Sequence, residues 1–158
     1  MGEFPKRIGE IGEEIVGEFL SLIGWHNPAK NFDIPSIDPE KHKKKTHGID
    51  AYFNYKSPLI SKTLENIIIS VKYSKDKYPN SPVAKFKDYY VDLGKAIESF
   101  KKSDLRADNI INRTDIEGVF DRGVLFWLNN VDGDSTDLTS KLSSLKHQRT
   151  LIMMGFFL

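Results

Sequence analysis

Apolar residues recur with two different periods along this 158-residue chain, and the changes of period lay out a mixed α and β order. Over residues 5–24, Ile8, Ile11, Ile15, Phe19 and Leu22 keep the three- and four-residue spacing that gathers side chains on one helix face, and Gly24 supplies a stop. Prolines at 28, 35 and 39 mark the stretch 25–47 as irregular. From 49 to 55 the period is two: Ile49, Ala51, Phe53 and Tyr55 share one side, and Asp50, Tyr52 and Asn54 the other. A loop around Pro58 leads to a second strand over 66–73, rich in β-branched residues. Ser81 and Pro82 then start a helix that runs to about residue 102, with Phe86, Tyr90, Leu93, Ile97 and Phe100 as its buried stripe. The run GVLFWLN at 123–129 has no alternation, which suits a strand covered on both faces near a sheet centre. A short helix is expected within 136–147 through Leu138, Leu142 and Leu145. The almost wholly apolar end at 151–158, with Phe156, Phe157 and Leu158, reads as a buried last strand or, by preference, as a domain that continues into a longer chain.

Composition narrows the class. The length suits a single domain over 1–158 with enough chain to bury a core unaided. With no cysteine, disulfide frameworks, Cys-ligated zinc, iron–sulfur clusters and thiol nucleophiles are excluded, and a reducing cytoplasm fits. Charges every few residues from Glu3 onward do not fit a signal peptide, and no apolar run approaches a membrane span. A cytoplasmic chain without membrane contact is expected. The formal net charge of +1 hides a segregation: residues 1–40 carry 3 basic and 8 acidic side chains, 41–110 carry 15 and 8, and 111–158 carry 5 and 6. Within the basic block Lys41, Lys43, Lys44 and Lys45 form one cluster and Lys72, Lys75 and Lys77 another. A lysine run is first of all a solvated loop, and a phosphate-facing patch is the alternative.

Three places offer chemistry. Strand alternation puts Ser70 and Lys72 on one face of the second strand and Ile67, Ile69, Val71 and Tyr73 on the other. If the two strands pair as a hairpin, Asp50 converges on Ser70 and Lys72. On the first helix Glu10 and Glu14 fall opposite the apolar arc, while Glu13 sits at its edge beside Leu20, within reach of a sheet end. His26, His42, His47 and His147 show no metal-ligand pairing, and His42 and His47 read as loop residues flanking the lysines. Gly9, Gly12 and Gly17 lie inside a helix pattern without the strand or Lys-Ser/Thr of a phosphate loop, though they allow another element to approach closely.

Gly12-Glu13, Val16, Phe19-Leu20 and Gly24-Trp25, followed by His47-Gly48-Ile49-Asp50 and by Ile67 to Lys72, resemble the core of the PD-(D/E)xK (restriction endonuclease-like) nuclease superfamily. The stretches KRIGEIGEE, KKKTHGIDAYF, IIISVKYS and GVLFWLNN are similar to nuclease subunits of bacterial anti-phage defence systems that work with a second protein. The resemblance implies an α/β restriction-endonuclease-like core, with a central mixed sheet flanked by helices and the motifs spread over about residues 5–129. It implies hydrolysis of DNA phosphodiesters with Mg2+, or Mn2+ in its place. Asp50 would be the principal metal ligand, the Val71 carbonyl a neutral ligand, Glu13 the second carboxylate and Lys72 the catalytic lysine. Lys43, Lys44, Lys45 and Lys75 would meet the DNA backbone, and a homodimer or a second subunit of a defence complex is the expected partner. The sequence departs from the pattern at one place: Ser70 stands where the superfamily has Asp or Glu, so the site loses one formal charge. Either Glu13 compensates or the domain is a catalytically inactive nuclease-fold subunit for nucleic-acid binding or protein assembly. Glu65, just ahead of the strand, ranks low as a substitute.

Overall fold

The computed structural model describes residues 3–111, 113–134, 136–143, 145 and 151–153. Ten elements follow in order: α1 (Glu3–Leu22), β1 (Ala29–Pro35), α2 (Pro39–His42), β2 (Thr46–Lys56), β3 (Thr63–Ser74), α3 (Val83–Phe100), α4 (Asp104–Ile111), β4 (Gly118–Asn129), α5 (Leu138–Leu142) and β5 (Leu151–Met153). The strands form one mixed sheet in sequence order, β1-β2-β3-β4-β5. β1, β2 and β3 pair antiparallel with one another in order, and β4 and β5 run parallel to β3. Among the described residues no helix is long and apolar enough to cross a membrane.

Two hydrophobic clusters, one on each face, explain why β3 and β4 are so apolar. Val16 and Leu20 of α1 pack with Ala51, Ile67, Ile69, Val124, Phe126 and Leu128. On the other face Phe86, Leu93 and Phe100 of α3, joined by Leu138 and Leu142 of α5, cover Ile68, Leu125 and Trp127. A strand covered on both sides loses its polar half, so 123–129 is the core of β4 as expected.

The structure corrects the reading of α1. Its buried line is Gly12, Val16 and Leu20, whereas Ile11 and Leu22 are exposed. Gly12 selects that line, because a Cβ there would lie 2.5 Å from Tyr73 Cβ and 3.4 Å from Val71 Cγ1. The backbone of α1 therefore rests on β3, and the buried face turns toward Glu13. Gly12→Ala is expected to push the helix off β3 and to cost about 1–3 kcal/mol, read as a lowered urea midpoint. An unchanged midpoint would show that the helix yields without loss.

Residues 25–47 are not uniformly irregular. They contain β1, whose edge position tolerates Pro35, and one turn of helix capped by the Asp38 side chain, which accepts from the Lys41 N–H. Helix α4 also escaped the periodicity reading, because none of its residues is fully buried and, beside the packing of Leu105 on the α3-side cluster, Arg106 and Asn109 tie it to the sheet through polar groups. The short helix of 136–147 is observed as α5, and 151–153 form a strand beside β4. Residues 154–158, including Phe156, Phe157 and Leu158, and His147 lie outside the described residues.

The alternation along β2 breaks where it matters most. Ile49 packs under α3 together with Tyr52, while Ala51 packs under α1. The faces exchange across Asp50, so Ile49 does not share a side with Ala51. Strand β1 turns at the same level: Phe32, opposite Ile49, lies against the α3-side cluster, and Lys30, opposite Ala51, reaches Gly17 of α1. Between them Asn31 has φ of 52°. This left-handed residue is accessible to Asn at low cost, and it lets both strands bend together.

Candidate active site

Strands β2 and β3 fork at this bend. Their pairing ends at Ala51 opposite Ile69, although β2 begins at Thr46 and β3 continues to Ser74. Backbone groups released by such a fork need other partners. Asp50, the first residue past the last pair, fills one vacancy: its Oδ2 accepts the Val71 N–H at 2.6 Å. The Asp50 carboxylate is therefore fixed in the crotch of the fork, half-buried.

Asp50, expected to converge on Ser70 and Lys72, thus meets β3 at the backbone N–H of the residue between them. Ser70 and Lys72 follow the α3 side of β3, and Val71 and Tyr73 the α1 side. Lys72 Nζ lies 5.8 Å from the centre of the Tyr89 ring, and Lys85 Nζ approaches the same ring at 5.4 Å. Tyr89 stands edge-on to Trp127, with ring centres 5.4 Å apart. This ring gives the Lys72 ammonium a defined direction.

On the α3 side, His47, Gly48, Ser70 and Asp92 line one small cavity of about 10 Å3. Asp92 was not foreseen. It sits on a line of α3 through Lys85, Tyr89, Asp92, Ala96 and Ser99, at alternating spacings of four and three. That recurrence is the signal that could have placed it on the inner face of the helix. Lys44 Nζ donates to Asp92 Oδ1. Burial opposes the Asp92 charge, but the bonded Lys44 ammonium, with Lys72 and His47 nearby, outweighs it and holds the carboxyl below its usual value.

The histidines are also corrected. His42 and His47 are buried rather than loop residues, each 2% exposed, with His42 Nδ1 and His47 Nε2 sharing a hydrogen bond of 3.0 Å. Ser36 Oγ and Glu98 Oε2 complete the surroundings of His42. Burial first, and then His42, push the His47 imidazole below its usual pKa. The irregular reading of 25–47 concealed this packing, because shelter comes from β1 inside that stretch and from α3, far away in sequence.

Glu13 stands on the opposite, α1 side. It is half-buried and lines a shallow groove with Gly17, Lys30 and Asn31, the residue that faces Asp50 across β1 and β2. Glu65 is taken up elsewhere: its buried carboxylate accepts from Arg122 Nε at 2.7 Å. Of the lysine cluster, Lys41 pairs with Glu98 and Lys44 with Asp92, while Lys43, Lys45 and Lys75 are exposed. Among the described residues no group of three or more His, Asp or Glu side chains gathers as a metal-holding cluster. The carboxylate of Asp50 and the hydroxyl of Ser70 are oxygen donors of the kind a hard divalent cation such as Mg2+ takes.

A helix-flanked mixed sheet whose central strands fork around a fixed aspartate, with a lysine two residues beyond a small polar residue, can be set beside known families. The sequence model of the GAPS4 protein PD-(D/E)XK nuclease domain matches residues 1–155. The chain belongs to that family. No curated protein and no solved structure matches it. GAPS4 is a component of anti-phage defence systems, so the chain is the nuclease domain of a defence-associated family. The family's mixed α/β architecture is the one described above.

Proposed function

We propose that this GAPS4 nuclease domain is a Mg2+-dependent DNA endonuclease of the cytoplasm, acting in a defence complex with a second subunit or a second copy of itself. The observation that supports the reading best is the fork, where the Asp50 carboxylate is held on the Val71 N–H. Asp50, the Val71 carbonyl and the Ser70 hydroxyl would hold the cation, with Glu13 approaching from α1. When bound, Mg2+ supplies Lewis-acid polarisation of the phosphate and ionisation of water near neutral pH. Lys72, directed by Tyr89, offsets the negative charge that develops on the phosphate during attack. Lys43, Lys44, Lys45 and Lys75 neutralise the backbone without reading sequence. Ser70 and the lack of a three-acid cluster among the described residues favour a second reading, a binding or assembly subunit that has lost cleavage.

Incubating plasmid and linear DNA with the chain, its partner and Mg2+ or Mn2+ separates the two. Under the enzyme reading the wild type cuts, and Lys72→Ala lowers the rate by about 10²–10³-fold. No metal-dependent cutting in the complete complex transfers the case to the binding reading. Replacing Lys43 and Lys45 together by Gln should weaken DNA binding and reduce the salt slope by about 2. An unaltered slope would remove this patch from the DNA path.

A further inference from the structure

Lys72 shares its aromatic support with a second lysine, from α3, that the D/E-x-K spacing does not contain. We infer that Lys85 and Lys72, gathered at the Tyr89 ring, form one seat for a DNA backbone phosphate beside the fork. Lys85 is then a substrate-binding residue, and Tyr89 the positioning residue that holds the two ammonium groups together. The inference rests on the DNA-endonuclease reading above and adds the residue through which α3 aligns the strand.

Two like charges meet at one ring. Lys85 Nζ lies 5.4 Å and Lys72 Nζ 5.8 Å from the Tyr89 ring centre, so the ammonium groups stand no farther apart than those two distances laid end to end. A ring face attracts an ammonium but leaves its charge in place. Lys41, Lys44, Lys56 and Lys62 each hold an acid, whereas among the described residues neither Lys72 nor Lys85 forms an ion pair. Asp92, the acid that feels the Lys72 charge, is bonded to Lys44. A phosphodiester is the anion this substrate brings, and it relieves the repulsion between the two lysines by binding both.

The ring that gathers them is braced. Tyr89 stands edge-on to Trp127, and Tyr78 stands edge-on to the same indole with its hydroxyl donating to the Trp127 carbonyl at 2.8 Å. Trp127 is buried and lies opposite Lys72 in the parallel register of β3 and β4. Lys85 and Tyr89 are one turn apart on α3, so the helix carries Lys85 to the place where Lys72 leaves the strand. Lys72 directly follows Val71, whose N–H holds Asp50, which sets the seat next to the fork. The surroundings suit a polyanion, since residues 72–87 contain five lysines and one aspartate. Lys85 is exposed and Lys72 half-buried, so an incoming backbone meets Lys85 first.

Fluorescence anisotropy of a labelled DNA duplex, with the chain and its partner and over a series of salt concentrations, tests the seat. Circular dichroism checks that each variant folds. Lys85→Gln should weaken binding several-fold and lower the salt slope by about 1. Lys87→Gln removes the same charge from another face of α3 and should leave the slope unchanged. Lys72→Gln should lower the slope as well, and the double variant should lose less than the two single losses together, because both lysines serve one phosphate. Tyr89→Phe keeps the ring and should bind like the wild type, while Tyr89→Leu should bind as weakly as Lys85→Gln. If Lys85→Gln binds like the wild type, or no worse than Lys87→Gln, the seat is overturned and the endonuclease reading stands without it. Strictly additive losses overturn the sharing of one phosphate, and wild-type binding by Tyr89→Leu overturns the role of the ring. If Tyr89→Leu does not fold, the lysine variants decide alone. If the wild-type complex binds no DNA, with or without Mg2+, the DNA reading itself falls.

Discussion

Asp50→Ala is expected to lower metal-dependent DNA cleavage at least about a thousandfold, and to destabilise the domain as well. The two effects have different causes, which a second variant separates. Asp50 Oδ2 accepts the Val71 N–H at 2.6 Å where β2 no longer pairs with β3. Alanine removes both the charge and the acceptor, and leaving that donor unsatisfied costs about 1–3 kcal/mol. Asparagine keeps an acceptor of the same shape but no charge. Asp50→Asn should therefore unfold near the wild-type urea midpoint and still be inactive with Mg2+. An active Asp50→Asn enzyme would mean that the fork is a structural joint and that cleavage is organised elsewhere. A marked loss of stability in Asp50→Asn would mean that its charge, rather than its oxygen, holds the fork.

The largest effect on stability is expected far from the fork, at Arg106 of α4. Its Nε donates to both oxygens of Asp121 at 3.0 Å, and the Asp121 side chain is only 3% exposed. Asn66, fully buried, donates to the same carboxylate at 2.8 Å and accepts the Tyr52 hydroxyl at 2.6 Å. The Tyr52 oxygen in turn accepts from Asn54 and Asn109. This network fastens α4 to β2, β3 and β4, adding to the packing of the partly buried Leu105 on a helix that buries no residue fully. Arg106→Ala leaves a buried carboxylate without its cation, at a cost of about 3–5 kcal/mol, a large part of the stability of an ordinary domain. Equilibrium urea unfolding reads the loss. Adding Asp121→Asn should recover part of it by removing the stranded charge. A loss below about 1 kcal/mol would place the pair among surface ion pairs.

Much of the fold was legible because its main elements carry their own periodicity. The apolar runs of β3 and β4 are long enough to demand cover on both faces, and α3 shows its stripe from Phe86 to Phe100. Ser70 and Lys72 could be placed on one face of β3 from strand alternation alone, and the family follows from the wording around them and Asp50. Asp92 was hidden because a single aspartate on a solvated helix looks like any other until the helix is docked. The same holds for His42 and His47: only the packing of α3 and β1 makes them buried partners. Glu65 shows the converse, an acid near the motif that an arginine from β4 takes up.

By itself, the sequence determined the segments that become α1, β2, β3, α3, β4 and α5, the mixed α/β class, and the order of Glu13, Asp50 and Ser70-x-Lys72, since local propensity and hydrophobic period reside in consecutive residues. Only the tertiary structure decided the bend at Asn31 and Asp50, the fork that turns Asp50 onto Val71, the rotation of α1 about Gly12, and the meeting of Asp92 with Ser70. Each of these depends on how closely two backbones approach, which is set by the sum of contacts between distant segments rather than by any residue's own preference.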